Sequence, residues 1–324
     1  MKAPSELSVA EAARALRARQ VSSRELVQVC LERIARWQPH INAFIEIDAE
    51  AALAAARKAD EDLSKGDSRL LAGIPLAHKD MFYRAGMVSN CGSKIRRGWK
   101  APTTSTALER LASAGALQLG TLNMAEFAYR PTGDNEHWGD CRNPWDPRMI
   151  PGGSSSGSGA ALAARLTFGA LGSDTGGSVR LPAALCGVTG LKTTLGRVSR
   201  YGAMPLCHSL DTIGPLARSA EDCALLLRAM AGFDANDMTT SREPVPGDPA
   251  NSSAPPMRVG ISTAWLQGQA DPRVGAAVLE AARVLRARGI EVREVPAPEL
   301  EPLFAHSMIV MQAEASAQHA RWMR

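Results

Sequence analysis

Two stretches of glycine and serine lie close together, PGGSSSGSG at residues 151–159 and GSDTGGS at 172–178. Hydroxyls set among glycines admit several chemistries. A flexible tether is one, but the first stretch runs straight into the small-residue helical pattern GAALAARL (159–166), which is unlike a tether. A phosphate loop would end in Gly-Lys-Ser/Thr, and that ending is missing. Gly153 to Gly157 fits G-x-S-x-G, yet a nucleophile elbow needs a strand ahead of it, and PRMIP (147–151) has proline at both ends. The second stretch reads either as a tight turn with glycines at positive φ or as successive N–H groups that could hold an oxyanion. A serine hydroxyl needs a neighbouring base to attack at neutral pH. Ser-x-x-Lys does not occur in the sequence. Lys79 closes an apolar run in GIPLAHKD, and burial there would lower its pKa. His78 beside it reads as a satisfied or solvated histidine, and His208 and His306 have no better spacing.

These groups need elements to carry them. Ser8–Glu11 and Ser22–Glu25 are capping boxes, the second opening a helix with Leu26, Val29, Cys30, Ile34 and Trp37 on one face and Pro39 at its end. A third helix starts at Ala49, and Ile74–Ala77 reads as a buried strand ending at His78-Lys79-Asp80. Thr106 caps a further helix, Ala116–Gly120 is a strand, and Phe168–Leu171 is a central strand leading into the second loop. A helix starts at Ser219. Beyond the polar stretch 233–256 come a strand at Val259–Ile261, a helix opening at Asp271-Pro272 and a strand at Ile290–Val295. This alternation argues for an α/β layered fold. The last residues, SAQHARWMR, fall inside a helical pattern with no stop signal, so the sequence reads as part of a longer chain.

Composition narrows the function. Lys and Arg number 37 against 33 Asp and Glu among 324 residues, and a formal charge of +4 argues against direct nucleic-acid binding. The six cysteines form no C-x-x-C pair and read as reduced, mostly buried thiols, which with the lack of a signal peptide or a bilayer-length apolar stretch predicts a cytoplasmic protein.

GIPLAHKD, GGSSSGSGAALAA and GSDTGGSVRLPAALCGVTGLKTT, in that order, resemble the amidase signature family. Agreement extends to NMAEF (123–127), NPWD (143–146), GRVSRYG (196–202) and SLDTIGP (209–215), covering residues 6–232 and continuing more loosely to the end. The resemblance implies one α/β/α layered domain over 1–324 around a large mixed, twisted β-sheet of about eleven strands, part of it beyond residue 324. The helical segment 6–66 would pack on that domain, with 233–256 as a surface connector. The resemblance further implies a Ser–cis-Ser–Lys triad: Lys79 as base, Ser154 as relay behind a cis Gly153–Ser154 bond, and Ser178 as nucleophile. It makes the N–H groups of Thr175, Gly176, Gly177 and Ser178 an oxyanion hole, puts Met124 and Phe127 near the substrate, and requires no metal or organic cofactor. Ser155, beside the relay, is a candidate supporting hydrogen-bond partner. The expected reaction converts a carboxamide to a carboxylate and ammonia or amine through an acyl-Ser178 intermediate. The first expectation is a free-standing amidase on a small-molecule amide, with no direct nucleic-acid partner, no membrane partner and room for a homodimer. The alternative is the glutaminase (A-type) subunit of a tRNA-dependent amidotransferase, to which GRVSRYG and SLDTIGP are similar and from which YRPTGDNEHW (129–138) departs. A binding module on this scaffold would have no reason to keep Lys79, Ser154 and Ser178 together.

Overall fold

Both capping boxes form: Ser8 and Ser22 each accept the N–H of the glutamate three residues on, opening α1 (Val9–Arg17) and α2 (Ser23–Ile41). Pro39 does not end α2, as its sequence position suggested. It sits in the last turn, where a proline forfeits one amide donor, and the helix stops at Asn42 in the left-handed conformation, φ 47°. The computed structural model describes residues 2–245, 247 and 257–322. The chain divides into two units, Met1–Pro246 with Ala313–Arg324, and Gly247–Gln312.

The first unit continues with β1 (Phe44–Ile47), α3 (Ala49–Ser64), β2 (Pro75–Lys79), α4 (Thr106–Ser113), β3 (Leu117–Leu122), α5 (Ser156–Ala163), β4 (Gly169–Asp174), α6 (Arg180–Cys186), β5 (Thr189–Gly190), β6 (Thr212–Ala217) and α7 (Ala220–Met230). Its strands make one mixed sheet in the order β1-β3-β2-β4-β6-β5. The inner pairs β3/β2 and β2/β4 are parallel and the outer pairs antiparallel. β2, β4 and β6 are buried along their whole length, as strands covered on both faces must be. Helix α5 packs on β4, where its small residues let the backbones approach. The N-terminal helices reach the same core: α2 packs on β2, α3 on β3, and Ala10 N–H donates to buried Asp222.

The N-cap position of α4 falls on Ser105, whose hydroxyl makes no capping bond, rather than on Thr106, whose hydroxyl donates 2.6 Å to Asp234. That bond ties the start of the polar 233–256 stretch to α4. Residues 246 and 248–256 of the stretch lie outside the described residues. The second unit contains β7 (Arg258–Ile261), α8 (Thr263–Gln269), α9 (Pro272–Ala287) and β8 (Glu291–Glu294), with β7 and β8 paired in parallel. α10 (Leu300–His319) begins in it and ends in the first unit. Among the described residues there are thus six strands in one sheet and two in another, against the eleven or so that the resemblance implies.

Candidate active site

β2 delivers Lys79, the candidate base. Lys79 ends a strand paired on both sides, and its side chain is fully buried. Its Nζ donates to Ser154 Oγ at 2.7 Å and to Ser173 Oγ at 2.9 Å. Burial pulls its pKa down to about 7, against the opposing pull of the Asp211 and Asp174 carboxylates. His78 is buried rather than solvated: Nδ1 lies 2.9 Å from Gln118 Oε1, Nε2 has no partner, and burial holds its pKa near 4. It is a neutral core histidine. Asp80, also buried, accepts the N–H groups of Asn90 and Gly92, and desolvation raises its pKa to about 7.

The first loop lies wholly in the interior. The Gly153–Ser154 peptide bond is cis. Gly153 N–H donates to Pro131 at 2.6 Å, and a Cβ on Gly153 would lie 2.8 Å from the Arg130 carbonyl oxygen, so only glycine fits. The Ser154 carbonyl accepts the N–H of Ala125. The next hydroxyls serve the scaffold: Ser155 donates to the Ser173 carbonyl at 3.4 Å, Ser156 to Asn123 at 3.3 Å and Ser158 to Leu171 at 3.0 Å. Ser155 therefore braces β4 through its side chain, while its N–H donates to the Ser178 carbonyl at 3.3 Å and joins the two loops.

Asp174 shapes the second loop. Its carboxylate accepts the N–H groups of Gly177, Val179 and Arg180 and a two-point ion pair from the Arg180 guanidinium, at 3.0 and 2.8 Å. Burial alone would raise its pKa, but these donors outweigh it and hold the carboxyl below its ordinary value. One consequence narrows the expected oxyanion hole: the Gly177 N–H already points at Asp174 (2.8 Å), whereas those of Thr175, Gly176 and Ser178 have no acceptor among the described residues. Thr175 Oγ1 donates 2.5 Å to Asp211. Ser178 is half-buried, and its hydroxyl makes no hydrogen bond among the described residues. The structure thus puts Lys79 and Ser154 in contact and sets Ser178 alongside through Ser155, without a bond between the two serine hydroxyls.

Met124 is fully buried, and its carbonyl accepts Asn135 Nδ2 at 2.8 Å, which makes it part of the packing under the site. Phe127 is half-buried at φ 47°, its ring 5.0 Å from Trp322 and 4.5 Å from His319. Ser173 was missed from the sequence, although a hydroxyl in the otherwise small and apolar run GALGS of a central strand was a signal. A cavity of about 210 Å³ reaches Ser173, lined also by Met81, Met204, Asp211 and Ile213 among others, and includes neither Lys79 nor Ser178. Among the described residues, no three His, Cys, Asp or Glu side chains could hold a metal, and no helix is long and apolar enough to cross a membrane.

The fold and this arrangement define one class of protein, and residues 25–323 match the Amidase family: the chain belongs to it. It is 46% identical over 318 residues to the A-type subunit of glutamyl-tRNA(Gln) amidotransferase from Azotobacter vinelandii, covering 98% of this chain and 66% of that protein, so it spans slightly under two thirds of that relative's length. A solved structure described as a vestigial protein complex revealing the origins of an s-triazine catabolic enzyme is 39% identical, with a TM-score of 0.88 over 97% of this chain and 69% of its own. The structure of the corresponding amidotransferase subunit from Thermotoga maritima is 31% identical, with a TM-score of 0.83 over 98% of this chain and 67% of its own. These likenesses correct the expectation of a chain without nucleic acid among its partners, since the Azotobacter relative is by name one subunit of an amidotransferase for glutamyl-tRNA(Gln). A weak net charge speaks to phosphate binding by the chain itself, not to what an assembly containing it handles.

Proposed function

We propose that this chain hydrolyses a carboxamide through Ser178 and does so as an A-type glutaminase subunit, releasing ammonia from glutamine for a partner subunit. The observation that carries the chemistry is the 2.7 Å contact between Lys79 and Ser154 in an interior dry enough to bring the lysine to about 7. In its neutral form Lys79 keeps donating to Ser173 and turns its lone pair to the Ser154 hydroxyl. Ser178 then attacks the amide carbon while its proton passes to Ser154 and the Ser154 proton to Lys79. The developing oxyanion is held by the N–H groups of Thr175, Gly176 and Ser178, the three not already engaged. The proton returns through Ser154 to the leaving nitrogen, ammonia departs, and water attacks the acyl-Ser178 ester by the same relay. Phe127, half-buried and two residues beyond the Ala125 amide that bonds Ser154, is the residue assigned to meet the rest of the substrate.

The glutaminase reading is supported by the 46% identity to a named A-type amidotransferase subunit. A free-standing amidase is the second reading, supported by the 35% identity to a solved structure described simply as an amidase against 31% to the solved amidotransferase subunit. Six buried, unpaired cysteines favour the cytoplasm for either. The test is ammonia release from L-glutamine and from a set of simple alkyl and aryl amides, with and without partner subunits and with Ser178→Ala as control. Glutamine hydrolysis that depends on the partners supports the first reading. Turnover of simple amides by the chain alone replaces it with the second.

A further inference from the structure

The carboxylates of Asp174 and Asp211 both pull toward a charged Lys79, and they differ in kind. Asp174 is neutralised by its two-point pair with Arg180. Asp211, in the turn ahead of β6, has Oδ1 on the Thr175 hydroxyl at 2.5 Å and Oδ2 on the N–H groups of Leu206 and Cys207 at 2.9 and 3.0 Å. It is buried and pairs with no cationic side chain among the described residues; Arg200 reaches only its backbone carbonyl, at 3.4 Å. The remaining titratable neighbours add little charge. The Cys91 thiol is pushed up to about 12 by burial and stays neutral, and Asp80 turns its oxygens to Asn90 and Gly92. Asp211 also shares the cavity wall with Ser173, the second hydroxyl on the lysine.

We propose that Asp211 is a positioning residue of this site: it fixes the Thr175 end of the oxyanion loop and supplies the one uncompensated charge against which Lys79 gains and loses its proton. The inference rests on the reading of Lys79 as the base. When Lys79 takes the serine proton, a buried ammonium forms, and the fixed carboxylate stabilises it much as the aspartate of a Ser-His-Asp triad stabilises imidazolium. The same charge favours the ammonium in the resting protein, so it also sets how low a pH the site tolerates.

The test needs neither the natural substrate nor partner subunits. Phenylmethanesulfonyl fluoride forms an O–S bond to the nucleophilic serine as its S–F bond breaks. Fluoride leaves, and the hydroxyl proton passes through Ser154 to Lys79. The rate of labelling at Ser178, followed by mass spectrometry from pH 5 to 9, reports Lys79. Asp211→Asn can keep the geometry, its oxygen on the Leu206 and Cys207 N–H groups and its amide on Thr175, while removing the charge. Its acid limb moves at least about half a unit to lower pH, and its plateau rate falls about tenfold. Thr175→Val lowers the plateau without moving the limb, and Thr175→Ser recovers most of that loss. An Asp211→Asn limb that coincides with the native one overturns the proposal while leaving the triad standing. No labelling of the native chain at Ser178 at any pH brings down the triad and the proposal together. Should circular dichroism show Asp211→Asn unfolded, equal plateaus for Thr175→Val and Thr175→Ser overturn the proposal, and a rate recovered by serine alone upholds it.

Discussion

The two glycine–serine loops look alike in sequence and behave as opposites in the fold. Residues 151–159 are buried without exception, and their hydroxyls at 155, 156 and 158 are each spent on a backbone carbonyl. In the second loop, residues 175–178 are half-buried or exposed, and three N–H groups and the Ser178 hydroxyl are left without partners among the described residues. Under the proposed function the first loop carries the relay, which must keep its geometry while a proton moves and so belongs in rigid packing. A nucleophile and its oxyanion donors must meet a substrate, so they belong where solvent reaches. Both loops are rich in glycine and serine, and burial is what sets them apart.

The sharpest way to break that contrast is Ser178→Ala, which is expected to cost about 10⁴-fold or more in amide turnover with little change in stability, measured by ammonia release and thermal melting. Comparable activity in that variant would remove the exposed loop from the chemistry. Lys79→Met is next, with a rate loss of about 10²–10⁴-fold. The native enzyme's rate should rise with pH through about 7, the value to which burial brings Lys79. The same shift has a stability consequence of definite sign. The folded pKa lies below the unfolded one, so the unfolded chain binds more protons between about 7 and 10.5, and native stability falls as pH drops across that window. Urea midpoints of Lys79→Met should lack this slope and gain on the native protein as pH falls to 7.

Smaller effects separate the loops as scaffolds. Gly153→Ala drives a methyl against backbone atoms at 2.8 and 2.9 Å and should cost about 1–3 kcal/mol. Gly176→Ala meets nothing within 4 Å and should stay within about 0.5 kcal/mol. Equal costs in chemical denaturation would mean the loops are equally constrained. Ser158→Ala removes a hydrogen bond to the Leu171 carbonyl and should lose about 1 kcal/mol while leaving turnover intact.

Much of the fold was legible because its signals are local. Capping boxes at Ser8 and Ser22 and the apolar run before Lys79 each act within a few residues. The misses share a cause in long-range competition. Thr106 left its expected capping role for Asp234, and Pro39 was carried inside α2, a helix that packs against α3. Gly177 was expected among the oxyanion donors, but a carboxylate three residues away in sequence had taken its N–H. Ser173 and Asp211 were overlooked because neither residue announces its partner; Lys79 is 94 residues from Ser173.

By itself, the sequence determined which residue types were on hand, where helices and strands would begin, and, through its ordered motifs, the family. The tertiary structure decided the rest: that Lys79 is dry enough to stand near 7, that Ser154 rather than another hydroxyl of its loop meets it, and which amides remain free to hold an oxyanion. The division is physical. Helix starts and strand runs depend on a residue and its near neighbours, whereas a pKa or a vacant hydrogen-bond donor depends on everything packed around the group, and only the folded chain brings those atoms together.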